Sequence, residues 1–188
     1  MMKDEIKKAC EVMRAGGVIL YPTDTVWGIG CDATNEEAVR KVFAIKQRAD
    51  SKAMLVLVDN PAKVSQYVKE VPSIAWDLME VADKPLTIVY DGARYLAPSL
   101  VAADGSIGIR VTAEEFSRQL CFHFRKPVVS TSANVSGCPA PAVFSEISEE
   151  ILQAVDYVVD WRRHEKGRPA PSSIIRLGVK GEVQIIRK

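Results

Sequence analysis

The sequence is poor in the residues that build metal centres and covalent cross-links. It has two histidines and four cysteines in 188 residues. Cys10, Cys31, Cys121 and Cys138 are widely scattered and form no CxxC pair, so no zinc cluster or disulfide framework is expected, and free thiols in a reducing compartment are. No apolar run approaches the ~20 residues that cross a bilayer. The opening MMKDEIKKACEV is charged and has no secretory apolar core. The expectation is a cytoplasmic protein without a membrane partner. Charge of one sign is not in excess either: 25 basic residues against 24 acidic ones leave a net charge of +1, which excludes a globally basic nucleic-acid coat but leaves room for a local basic surface. Neither GxxxxGK[ST] nor GxSxG occurs. No Cys/His or Ser/His pair stands out, so no protein nucleophile is expected.

What is present is an ordinary globular composition, 47% apolar and 26% charged, long enough for a real core in one domain spanning 1–188. Residues 4–15 read as an amphipathic helix with Ile6, Cys10 and Met13 on one face. VILY follows as a short buried strand cut by Pro22. Thr34 and Glu37 have capping-box spacing, opening a helix to about Gln47. Strands are predicted at 53–58, 86–90, 107–111, 127–130 and 157–160, and helices at 61–69, 72–82, 113–124 and 145–154. A closing hairpin of SSIIRL and EVQIIR ends the chain. Strands and helices alternate irregularly, with some strands adjacent, which favours α/β with a mixed sheet over a regular doubly wound one.

Three polar clusters interrupt the apolar elements. In YPTDTVWGIG, Thr23, Asp24 and Thr25 precede a glycine-spaced apolar run. This reads equally as a β-turn or as a hydroxyl-lined pocket floor that Gly28 and Gly30 let a ligand approach. In KQR, Lys46 and Arg48 end a helix, with Lys52 close behind. Cations there suit the helix dipole, and they also suit a polyphosphate. In STSANVSG, which leaves an apolar strand, alternation would put Ser130, Ser132 and Asn134 on one side of an extended chain, as an anion cradle needs and a plain turn does not. Arg110 lies within the apolar strand IGIRV, where a charge must find a partner: an internal salt bridge or a carboxylate held in its fork.

YPTDTVWGIGCDA, KQR, SIGIRV, STSANVSGCPAP and a late PSSII together resemble the YrdC-like threonylcarbamoyl-AMP synthases, in order and spacing, from about Gly16 to Arg187. The resemblance implies a YrdC-like twisted mixed sheet flanked by helices, with a large concave basic face. It implies synthesis of L-threonylcarbamoyladenylate and pyrophosphate from L-threonine, bicarbonate or CO2, and ATP with Mg²⁺. The product serves tRNA-modification transferase proteins acting at adenosine 37 of tRNAs that read codons starting with A. Thr25, Arg110, Ser130 and Ser172 match positions that hold threonine. Lys46, Arg48, Lys52, Ser106, Ser132, Asn134 and Arg187 match positions near ATP, with Lys46 and Arg48 the charges beside the reacting phosphate. The chain departs from the family pattern at Ala49, Lys52, Leu57 and Ala140, and only KPLT, 84–87, remains of a common WPGPLT-like segment. Two rivals compete. One is an RNA-binding module for tRNA or double-stranded RNA, using Arg162, Arg163, Lys166 and Arg168. The other is a carbamoyl-transfer enzyme, for which the companion segments are missing.

Overall fold

The structure, a computed structural model, describes residues 1–47 and 54–188. Helix α1 (Met2–Arg14) buries Ile6, Ala9, Cys10 and Met13 along one stripe. Its Glu5 carboxylate is also buried and accepts from the Tyr157 hydroxyl at 2.5 Å and the Asp160 N–H at 2.7 Å. Strands β1 (Ile19–Tyr21) and β2 (Gly28–Gly30) pair antiparallel. Helix α2 (Glu36–Ile45) follows. Its cap is Asn35, whose Oδ1 accepts from Ala38 N–H at 3.1 Å. Thr34 does not cap the helix, because its hydroxyl is drawn to Asp32 Oδ1 at 2.6 Å.

The predicted strand over 53–58 is β3 (Leu55–Val58). The predicted helix over 61–69 is a 3-10 turn and the single turn α3 (Val64–Tyr67). Then come α4 (Ser73–Val81), β4 (Leu86–Tyr90), β5 (Ile107–Val111), α5 (Glu115–Phe124) and β6 (Val128–Ser132). The predicted helix over 145–154 is split into a 3-10 turn (Phe144–Glu146) and α6 (Glu149–Ala154), and the strand after it is only β7 (Tyr157–Val158). A hairpin of β8 (Ser173–Leu177) and β9 (Val183–Arg187) closes the described chain.

The strands form one mixed sheet in the order β7-β1-β2-β6-β3-β5-β4-β8-β9. The β1/β7, β3/β5 and β4/β8 pairs are parallel and the others antiparallel. Alternation divides side chains between two faces. Leu20, Ile29, Val56, Ile88, Ile109, Val129 and Leu177 point to one face and pack in a single core with α2 and Ala75 of α4. Ile19, Tyr21, Leu57 and Val128 point to the other face and pack under α1 and α5, against Met13, Phe116 and Leu120. Those two helices cover only part of that second face. The same alternation brings Gly28, Ser130, Ser132, Arg110, Thr87 and Ile174 to the part they leave open.

Strand β2 was not expected, since GIG has poor strand propensity. It forms because the backbone there lies too close to its neighbours for a side chain. A Cβ on Gly30 would come within 2.5 Å of the Val129 carbonyl and 2.6 Å of the Tyr21 ring. Gly30→Ala is expected to cost about 1–3 kcal/mol by overpacking. The check is its urea midpoint against the parent protein, with an unchanged midpoint refuting the close approach.

Candidate active site

On the open part of the sheet lies a cavity of about 260 Å³, lined by Thr25, Arg110, Ser130, Ser132, Ser172 and Arg187, with Gly28, Leu55 and Ala140 also on its wall. The structure thus brings together all four residues assigned to threonine and two of those assigned to ATP. They arrive from distant parts of the chain: the loop before β2, β5, the end of β6, the approach to β8, and the last residue of β9.

Arg110 is the centre of this arrangement. It is 2% exposed, and its Ile109 neighbour belongs to the opposite core. The apolar look of IGIRV is therefore that of a strand with one core face and one cavity face. Of the two explanations of its charge, the internal salt bridge is present. Nη2 lies 2.9 Å from Asp24 Oδ1 and donates to Thr25 Oγ1 at 3.3 Å. The ion pair is close but misaligned. Among the described residues neither Asp24 Oδ1 nor Arg110 Nε has a hydrogen-bond partner. Burial pushes the Asp24 carboxyl above its ordinary range, with Arg110 opposing the shift. Thr25 is fixed from behind, since its N–H donates to Thr23 Oγ1 at 3.1 Å, and the two hydroxyls are 3.1 Å apart.

A second guanidinium faces the same cavity. Arg187 Nε donates to the Ser172 carbonyl at 2.9 Å and Nη2 to the Ser172 hydroxyl at 3.3 Å. Burial, and then repulsion from Arg110, lower its proton affinity. Two guanidiniums that repel one another across a cavity create a site for an anion. The Ser172 hydroxyl is also 2.9 Å from that of Thr87, which is 1% exposed. Thr87 escaped the sequence reading. The available signal was alternation in LTIVY, which sets Thr87 opposite in sense to Ile88.

The remaining candidates among the described residues do not line this cavity. Asn134 is beyond the end of β6, so extended alternation stops at Ser132. The Asn134 amide donates to the carbonyls of Val135 and Cys138 at 3.0 and 2.7 Å, and the residue lines a neighbouring cavity of about 500 Å³ with Gln47 and Cys138. Ala140 borders both cavities. Lys46 stands at the end of α2, where the sequence placed it, but it is buried. It is 1% exposed, and its Nζ donates to the carbonyls of Ser132 and Asn134 at 2.6 and 2.7 Å. Its charge ties the STSAN segment to the end of α2. Ser106 is buried at the start of β5 and donates to Asp104 Oδ1 at 2.6 Å, away from the residues lining the cavity. Leu57 is core under α1 and α5. Arg48 and Lys52, like Ala49, lie outside the described residues.

Three of the four cations named in the 161–171 segment are engaged within the molecule, and Lys166 is exposed. Arg162 pairs with Glu114 and Glu165. Arg163 donates to the Val158 and Val159 carbonyls and lies over the Phe144 ring. Arg168 pairs with Glu146.

The fold is that of an α/β domain: a mixed sheet with one face covered, and a cavity lined by two guanidiniums on the part of the other that α1 and α5 leave open. A sequence profile described as "Telomere recombination", for Sua5, YciO and YrdC proteins, matches residues 11–188, and the chain belongs to that family. It is 34% identical over 175 residues to the threonylcarbamoyl-AMP synthase of Vibrio cholerae, covering 91% of this chain and 92% of that one. It is 35% identical over 183 residues to the putative threonylcarbamoyl-AMP synthase of Methanocaldococcus jannaschii, covering 93% and 83%. Among solved structures, P. abyssi Sua5 complexed with L-threonine matches with a TM-score of 0.82 at 25% identity, over 92% of this chain and 50% of that one. The chain thus spans about half the length of that Sua5. E. coli YciO matches with a TM-score of 0.84 at 24% identity, over 100% of this chain and 90% of that one, which speaks for the fold.

Proposed function

We infer that this chain is a threonylcarbamoyl-AMP synthase. It makes L-threonylcarbamoyladenylate and pyrophosphate from L-threonine, bicarbonate or CO2, and ATP, and the adenylate feeds modification of adenosine 37 in tRNA. The observation that carries this reading is the convergence of Thr25, Arg110, Ser130 and Ser172 on one cavity.

In this reading Arg110 receives the threonine carboxylate, adding to the ion pair with Asp24 a partner for its unused Nε–H. Thr25, Ser130 and Ser172 orient the amino acid by hydroxyl hydrogen bonds. The threonine amine, once deprotonated, adds to CO2 and forms a carbamate with loss of a proton. A carbamate oxygen then attacks the α-phosphorus of ATP, and the bond to pyrophosphate breaks. Carbamates are short-lived in water, so a half-enclosed cavity beside the nucleotide has a direct purpose. Phosphoryl-type transfer needs positioning and charge rather than a protein nucleophile. Arg187 and Ser132, with Arg48 and Lys52, serve the nucleotide side. Lys46 and Asn134 set the path of the segment between the two cavities. Among the described residues no group of three or more His, Cys, Asp or Glu is placed to hold a metal; Mg²⁺ would be held by the ATP phosphates and would offset their charge. No helix among the described residues is long and apolar enough to cross a membrane, and a cytoplasmic site of action goes with the tRNA-directed product.

The test is pyrophosphate release with ATP and Mg²⁺, with and without threonine and bicarbonate. Release that requires both supports the synthase. Release without threonine, or none at all despite ATP binding, overturns it. RNA binding as the primary activity is disfavoured by the internal pairing of Arg162, Arg163 and Arg168.

A further inference from the structure

Thr87 stands in the sheet between two wall residues of the cavity, opposite Arg110 of β5 on one side and Ile174 of β8 on the other. It is buried and is not among the residues lining the cavity. A valine would suit this place in the strand equally well by shape and propensity, so packing does not account for the hydroxyl. Its direction is set. The Thr87 methyl packs over Gly108, where a Cβ would lie 3.3 Å from Cγ2, and the hydroxyl lies 2.9 Å from that of Ser172.

The protons of this pair determine what Ser172 can offer. A hydroxyl has one proton to donate and two lone pairs. Arg187 Nη2 can only donate, so it occupies one lone pair of Ser172 Oγ, at 3.3 Å. Among the described residues, the bond to Ser172 is the one hydrogen bond that the Thr87 hydroxyl makes. Were Ser172 the donor, the buried Thr87 proton would have no acceptor, which buried polar groups avoid. With Thr87 as donor, both lone pairs of Ser172 Oγ are taken, and its own proton is left for the cavity that Ser172 lines.

We propose that Thr87 is a positioning residue: by donating to Ser172 Oγ it makes Ser172 an obligate donor to the bound ligand, so that this point of the cavity holds a carboxylate oxygen and turns away an ammonium. This rests on the reading of the cavity as the threonine site. Two donors then meet the amino acid, the Ser172 hydroxyl and the Arg110 guanidinium, and together they fix which end of threonine is bound and which is left for carbamate formation.

The experiment follows threonine binding by calorimetry, and pyrophosphate release with KM for threonine read apart from KM for ATP and from kcat, in variants of the full chain. Thr87→Val keeps the packing over Gly108 and removes the hydroxyl. It is expected to raise Kd and KM for threonine by about 10-fold, as for a lost hydrogen bond to a charged group. Its kcat and its KM for ATP should stay within about threefold of the parent, the pattern of weakened substrate binding. Thr87→Ser keeps the donor, and its threonine KM should also stay within about threefold of the parent. Ser172→Ala should raise the threonine KM at least as far as Thr87→Val does. Adding Thr87→Val to Ser172→Ala should change nothing more, because a residue that acts through the Ser172 hydroxyl has no effect once that hydroxyl is gone. Parental threonine binding in Thr87→Val, a Thr87→Ser protein as impaired as Thr87→Val, or effects that multiply in the double variant would overturn the proposal. A Ser172→Ala protein with parental threonine affinity removes Ser172 from the ligand, and the proposal falls with it. A parent protein that binds no threonine overturns instead the reading of the cavity on which the proposal stands.

Discussion

Arg110→Gln is expected to lose threonine-dependent pyrophosphate release by about 100-fold or more, with ATP binding retained. The magnitude follows from truncating one member of a buried charge pair, which typically costs about 2–5 kcal/mol in binding. The loss should appear mainly in the threonine dependence, since Arg110 sits among the hydroxyls of Thr25, Ser130 and Ser172. The same variant leaves Asp24 buried without its counter-charge. Burial already raises the Asp24 carboxyl, and Arg110 is what opposes it. A carboxyl whose folded pKa is raised contributes most to stability below its unfolded pKa, and that contribution is lost as pH rises through the folded value. Arg110→Gln is therefore expected to be more stable near pH 5 than at pH 8, relative to the parent. Adding Asp24→Asn should remove this pH dependence without restoring threonine use. Thermal unfolding across pH, set beside the threonine KM, checks both halves. A variant with normal threonine KM would remove Arg110 from the site.

Lys46→Met is expected to lose activity and stability together. The ammonium donates to two backbone carbonyls, those of Ser132 and Asn134. A methionine keeps the stem but leaves these acceptors without their buried donor, at about 1–3 kcal/mol each. The expected result is a fall of at least ~100-fold in turnover, with faster amide exchange along 131–136. Lys46→Arg should not rescue it, since a planar fork cannot replace a compact ammonium between two carbonyls. Lost turnover with unchanged exchange would return Lys46 to the role of a phosphate ligand. Normal turnover would remove it from the machinery.

The sequence made two of the cavity-lining residues legible because they break apolar patterns. Arg110 in IGIRV and Ser130 after PVV are conspicuous, and the open half of the sheet face is where such breaks are tolerated. The family resemblance then sorted them into roles. Other features had no such mark. Strand β2 could not be read from GIG, because what permits it is the nearness of Val129 and Tyr21, a fact of tertiary structure. Thr87 is an ordinary strand residue until Ser172 is placed beside it. Asn134 was expected to continue an alternation that ends when β6 ends. Thr34 fitted a capping box, but Asp32 competed for its hydroxyl and Asn35 capped instead. Lys46 suited a helix C-terminus so well that its burial against the STSAN carbonyls had no trace in the sequence. Arg187 was assigned by resemblance, and the register shift in the β8/β9 pairing beside it is invisible in EVQIIR.

The thiols offer a practical opening. Cys10, Cys31 and Cys121 are buried, and burial pushes their proton affinities up, which makes them poor nucleophiles. Cys138 is exposed, and its carbonyl receives the Asn134 amide at 2.7 Å. A maleimide dye should therefore attach at one place in the unaltered protein, four residues from Asn134 on the wall of the second cavity. Its emission would follow the segment between the two cavities as ATP and threonine are added in either order, giving an optical record of the binding sequence without an engineered label.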